Sequence, residues 1–148
     1  MRTYSFERLE VWQLAKALTV RIYKVAKKFP EEERYELTRQ VRKSVSSVPS
    51  NIAEGTGRFT GKDQAHFSTM AYGSLVETLN HLLIAVDLEY LTRDEVDAMR
   101  PAIHEVATKL SRLRRAQLNR GAKGRSNTAQ EPEAPYGIHD EDDLPPLF

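Results

Sequence analysis

The sequence predicts an all-α fold, an antiparallel up-and-down four-helix bundle followed by a disordered acidic C-terminal tail. Three observations predict it. Apolar residues recur at spacings of three and four in four separate segments, the period of a helix with one buried face. No segment shows the strict apolar–polar alternation of a half-buried strand. Residues 126–148 mix prolines and acids and hold no Lys or Arg, a composition that cannot build a core of its own. The expected division is a bundle over residues 1–121 and a tail over 122–148.

The first segment carries Val11, Ala15, Leu18, Ile22, Val25 and Phe29 on one face, which predicts a helix near residues 6–29. Ser5 stands as its N-cap with Glu7 in the first turn, and Pro30 interrupts the pattern. Glu31, Glu32 and Glu33 suit the positive start of a second helix, whose stripe is Leu37, Val41, Val45, Val48 and Ile52. Pro49 falls inside that stripe, where it removes one backbone hydrogen bond and predicts a kink; Gly55 and Gly57 supply the stop.

Thr60 and Asp63 open the third helix with the spacing of a capping box. Its stripe is Phe67, Ala71, Leu75, Leu79, Leu82 and Val86. From Leu82 to Val86 every residue is apolar, which leaves no water-facing side and predicts a second contact there, another subunit. Thr92-Arg93-Asp94-Glu95 is a capping box for a fourth helix carrying Val96, Met99, Ile103, Val106, Leu110, Leu113 and Gln117. Pro101 predicts a second kink, and Gly121 and Gly124 mark the end. Short turns between such helices favour the bundle.

Composition narrows the chemistry. The 148 residues include no cysteine, which excludes disulfides, thiolate metal sites and a cysteine nucleophile. No apolar run approaches the roughly 20 residues of a membrane span, and the first residues lack an apolar signal core, so the expected location is the cytoplasm. The net charge of +1 hides an asymmetry: residues 1–125 hold all 22 cations and 15 acids, and residues 126–148 hold the other six acids. A body of +7 attracts phosphate, and the tail can compete for the same surface or simply add solubility.

Three stretches carry a family resemblance: FERLEVWQLA from Phe6, FPEEERYELTRQVRKSVSSVPSNIAEGTGR from Phe29 to Arg58, and FSTMAYGSLVETLNHLLIAVDLEYL from Phe67 to Leu91. Over residues 4–118 the chain resembles the four-helix bundle proteins encoded by intervening sequences of bacterial 23S ribosomal RNA genes. More loosely it is similar to the accessory protein of diversity-generating retroelements, a ring-like homopentamer that binds nucleic acid and partners a reverse transcriptase. The resemblance implies the bundle, a homo-oligomer (a pentamer), no established enzymatic activity, no cofactor, and nucleic acid or a reverse transcriptase as partner classes.

Candidate chemistry is sparse. Gly55 to Asp63 suggests a phosphate loop, but its glycine spacing is one residue too long, Asp63 stands where Ser or Thr would hold magnesium, and no strand precedes it. An interhelix turn is the better reading, with Arg58 and Lys62 still able to meet a phosphate near the third helix. His66, His81, His104 and His139 show no metal-binding spacing, and no nucleophile motif appears. A polar stripe of Gln40, Ser44, Ser47, Asn51 and Glu54 repeats at four and three on the second helix, and Ser74, Glu77 and His81 line the third. Short polar groups there imply close helix approach and a hydrogen-bonded network that fixes register. The catalytic alternative pairs Glu54 with Glu77 as acid and base or as metal ligands, without the Glu-x-x-His motif of di-metal bundles.

Cations provide the strongest functional signal. Lys109, Arg112, Arg114, Arg115, Arg120, Lys123 and Arg125 follow one another with no acid between them, more than a helix C-terminus needs. With Arg34, Arg39, Arg42 and Lys43 on the second helix, and Arg58 and Lys62, they suit contact with a phosphate backbone that reads no sequence. The chain's last nine residues, Asp140 to Phe148, resemble the tip of bacterial single-stranded-DNA-binding proteins, with Phe148 and Leu144 entering an apolar pocket and Asp142 and Asp143 meeting basic residues of a DNA-processing partner. The expected function is therefore oligomeric nucleic-acid binding, with a protein-recruiting adaptor and a Glu54–Glu77 enzyme as alternatives.

Overall fold

The structure is a computed structural model that describes residues 1–125, and among these every regular element is helical. The four long helices are α1 (Glu10–Ala26), α2 (Leu37–Thr56), α3 (Gly61–Asp87) and α5 (Arg100–Arg125); α4 (Arg93–Asp97) is a single short turn. One-turn 3-10 segments occupy Ser5–Arg8 and Glu31–Glu33. Among the described residues, no helix is long and apolar enough to cross a membrane.

The apolar stripes meet in one core. Ile22 of α1, Val41, Val45 and Ile52 of α2, Leu75 and Leu82 of α3, and Ile103 and Leu110 of α5 are completely shielded from solvent. Burying each such side chain contributes about 1.5–3 kcal/mol, the main force closing the bundle. α3 packs against both α2 and α5, and α1 lies against α2 and α5. The contacts run in opposite order along paired helices: Ser47 meets Ser74 and Ser44 meets Thr78, while Thr69 meets Arg114 and Gly61 meets Gly121.

Several expected boundaries move, each for a local reason. The first helix starts at Glu10 rather than near residue 6, because Glu7 folds back to accept the Tyr4 amide at 3.0 Å and Leu9 is extended. It ends at Ala26, although Phe29 still reaches the core. The acidic triplet forms a separate turn, after which α2 begins at Leu37. Pro101 does not kink a fourth helix. The chain breaks between α4 and α5, and Pro101 falls in the first turn of α5, where a missing amide costs nothing. Gly121 and Gly124 do not end that helix, which continues to Arg125.

α3 ends without a glycine. Glu89 adopts a left-handed backbone (φ 63°), the Tyr90 amide reaches back to the Ala85 carbonyl at 2.9 Å, and the Glu89 amide reaches Val86 at 2.9 Å. These are the paired bonds of a Schellman cap, with glutamate in the position that favours glycine. The far end is then pinned by Phe29 against Tyr90 (ring centroids 5.7 Å apart), by the Tyr90 hydroxyl donating to Glu33 at 2.8 Å, and by the Lys28–Glu95 ion pair.

Candidate nucleic-acid interface

The polar stripe becomes a seam between α2 and α3. The Ser47 hydroxyl lies 2.5 Å from the Ser74 hydroxyl, and the Thr78 hydroxyl lies 3.0 Å from Ser44 and 2.8 Å from the Ser74 carbonyl. Asn51 donates to the Ser47 carbonyl at 2.9 Å. Thr78, absent from the expected network, completes it; its place four residues after Ser74 on the same face was the available signal. Gln40 is exposed and takes no part. Glu54 instead pairs with Arg58 at 2.8 Å, and Glu77 lies 3.3 Å from the His81 ring.

That placement overturns the pairing of Glu54 with Glu77. Measured from the Ser47–Ser74 contact, the two residues lie in opposite directions along the seam, about 15 Å apart by helical rise. No acid–base or two-carboxylate metal geometry arises. Among the described residues, no group of three or more His, Asp or Glu side chains is placed to hold a metal ion.

The apolar run of α3 is also narrower than expected. Leu82 and Ala85 are fully buried in the chain's own core and Leu83 and Val86 are half-buried, so only Ile84 (40% exposed) faces outward. The outward face is broader in another sense: Met70, Gly73, Ile84 and Leu88 lie along one side of α3, with Val76 beside them, and a side chain built at Gly73 would meet nothing within 4 Å.

Apart from Lys109, the cations separate into three sets. Arg34 lies at one end, its guanidinium 5.5 Å from the Tyr35 ring. Arg39, Arg42 and Lys43 lie along α2, where Arg42 stacks over Tyr23 at 5.3 Å with its Nε buried and without a hydrogen-bond acceptor among the described residues. Lys109 pairs with Glu10, 3.0 Å away on α1.

The third set converges. A Cβ on Gly61 would fall 2.2 Å from the Gln117 carbonyl oxygen and 2.8 Å from the Gly121 nitrogen, so only glycine lets the start of α3 touch the last turns of α5. That approach gathers Arg58 of the α2–α3 turn and Lys62 of the first turn of α3 with Arg114 and Arg120 of α5. Gln64 joins the two sides: its amide donates to the Arg58 carbonyl at 2.9 Å, and its oxygen lies 3.5 Å from Arg120. Arg114 donates to Thr69 at 3.1 Å, and below it the buried Ser68 hydroxyl donates to Gln117 at 2.7 Å. Arg112, Arg115 and Lys123 are exposed on the same half of α5. The acids here are Glu54, engaged by Arg58, and Asp63, whose amide is capped by Thr60 at 3.1 Å. Charges remote in sequence thus form one cationic end, and Gln64 and the Gly61–Gly121 contact were not anticipated. Asp142, Asp143, Leu144 and Phe148 lie outside the described residues.

A helical bundle with this seam is the setting for a family match. The model of the 23S rRNA-intervening sequence protein family matches residues 7–112. The chain belongs to that family. The match spans α1 to the middle of α5 and includes the whole Ser47–Ser74 seam, while the last cations of the basic end, Arg114, Arg115 and Arg120, lie beyond it. No curated protein matches the chain.

Proposed function

We propose that this member of the 23S rRNA-intervening sequence protein family is a non-enzymatic scaffold or accessory factor that binds nucleic acid through its cationic end. One observation carries the reading: two elements more than 50 residues apart in sequence deliver Arg58, Lys62, Arg114 and Arg120 to one end of the bundle, held by the Gly61–Gly121 contact. Backbone phosphate is the ligand such a patch suits, and contact of that kind carries no sequence preference.

The chain works as a homo-oligomer in this reading, a pentamer by the resemblance to the retroelement accessory protein. The outward face of α3, with Met70, Val76, Ile84 and Leu88, is the surface that copies share, and a closed ring sums several modest patches into a strong one. The six acids of residues 126–148 follow the last described turn of α5 in sequence, and in this reading they compete with phosphate for the cationic end. Protein partners such as a reverse transcriptase or a DNA-processing factor would use the Asp142–Phe148 segment. Its site of action in this reading is the cytoplasm.

Fluorescence anisotropy with a labelled RNA tests the proposal. Affinity should fall about 10³-fold or more between low and moderate salt, and deletion of residues 126–148 should strengthen it. Salt-insensitive binding, or none at low salt, overturns the mechanism. Light scattering of the intact protein should show several copies; a monomer at micromolar concentration removes the summed patch.

A further inference from the structure

The turn that leads into the cationic end holds a residue that the phosphate reading leaves unused. Phe59 is 103% exposed, in the turn between α2 and α3. Both ring faces are open to solvent. Phe67, in the second turn of α3, is by contrast occupied: the Arg58 guanidinium lies 4.4 Å from that ring. Phe59 adds nothing to the core, so folding does not explain it.

The turn that displays Phe59 is fixed on both sides. The Arg58 amide donates to the Gly55 carbonyl at 3.1 Å, and the Arg58 carbonyl accepts from the Gln64 side chain at 2.9 Å. Thr60 accepts the Asp63 amide on its hydroxyl at 3.1 Å and the Gln64 amide on its carbonyl at 3.0 Å. The backbone that carries the ring is thus already ordered, and binding has only the side-chain rotamers of Phe59 left to fix. Arg58 and Lys62 flank it in sequence, and Gln64 ties Arg120 to the same turn.

From this arrangement we infer that the cationic end takes single-stranded nucleic acid, with an unpaired base stacked on Phe59 while Arg58, Lys62 and Arg120 hold the adjoining phosphates. The inference rests on the nucleic-acid reading above and sharpens its substrate class. A duplex satisfies the cations but offers its base faces to no ring, because they are already stacked. A single strand supplies both phosphate and an open π-face, and every base has one, so sequence preference is weak. An apolar pocket on a protein partner would match the ring but not the cations around it.

The full chain decides it with two probes at low salt, a labelled oligouridylate of about 15 nucleotides and an RNA duplex of similar length. Phe59→Ala and Phe59→Leu should each weaken strand binding by about ten-fold and leave duplex binding unchanged, Leu testing whether bulk alone suffices. Phe59→Trp should retain strand affinity, and its emission, read as the difference from the parent chain that contains only Trp12, should quench on the strand and not on the duplex. Because Phe59 is fully exposed, all three variants should keep the parent's helical circular dichroism. If Phe59→Ala binds the strand like the parent, or weakens by the same factor on both probes, stacking is overturned while backbone binding stands. If the parent binds neither probe, both readings fall together.

Discussion

The Thr19 hydroxyl lies 3.1 Å from the Val45 carbonyl oxygen, the acceptor that Pro49 leaves without its helical amide. α2 runs unbroken through Pro49, so the defect is repaired across the α1–α2 contact rather than by ending the helix. Thr19 has a single hydroxyl proton and also lies 2.8 Å from the Ala15 carbonyl, which it shares as a second acceptor. Thr19→Val keeps the shape and removes the donor. It should cost about 1 kcal/mol in urea unfolding, and less in a Pro49→Ala background, where residue 49 regains its amide. Equal costs in both backgrounds would show that Val45 does not depend on Thr19.

Glu89 carries the positive φ of the α3 cap, 63°, in the position that glycine fills most easily. Glu89→Gly should therefore raise stability by about 0.5–1 kcal/mol despite the greater freedom that glycine has when unfolded. Glu89→Ala relieves no backbone strain and should not gain. A thermal melt of the three proteins separates the cases, and a destabilised glycine variant would contradict the cap geometry.

These two sites show where sequence reasoning stops. The stripes of α1, α2, α3 and α5 were legible because burial follows a period of 3.6, and Val41, Leu75 and Ile103 sit where that period puts them. The Ser44–Ser47–Ser74 seam was legible for a related reason, since small polar residues on one face imply a close neighbour. The Schellman cap at Glu89 was not, because its usual glycine is absent. The split at Pro101 escapes a sequence reading because an interior proline and a first-turn proline look alike without the helix start. Glu54 and Glu77 share a stripe pattern, but only the register of α2 on α3 shows that they diverge. The cationic end depends on tertiary approach alone: nothing near Gly61 in sequence points to Gly121.

Acid should loosen the opposite end of the bundle first. Lys28 bonds to the Glu95 carboxylate and the Thr92 amide adds a second bond at 2.8 Å, and together they hold its pKa below the ordinary glutamate value of 4.5. A depressed folded-state pKa contributes stability at pH above the unfolded value, and that contribution is lost as pH falls through the folded value. The urea midpoint should thus decline below about pH 4.5. Glu95→Gln should flatten this limb while lowering stability near neutrality. A parallel decline in both proteins would place the acid sensitivity elsewhere.

Gly61 and Gly121 touch, yet they should respond differently to substitution. A Cβ at Gly61 would sit 2.2 Å from the Gln117 oxygen, a distance no neighbour can accommodate without moving. A Cβ at Gly121 would find its nearest atom, the Gly61 Cα, at an ordinary 3.6 Å. Gly61→Ala should cost about 1–3 kcal/mol and force the end of α5 away from the start of α3. Gly121→Ala should be neutral or stabilising, by up to about 1 kcal/mol, because alanine favours a helix interior. The separation also disperses Arg58 and Lys62 from Arg120, so Gly61→Ala should weaken RNA binding and flatten its salt dependence. The log–log slope should drop by about 0.7 for each single-strand phosphate that the dispersed cations no longer neutralise. Amide exchange over residues 114–123 should rise in Gly61→Ala alone. If binding survives that rise undiminished, the cations act without converging, and the Gly61–Gly121 contact serves stability only.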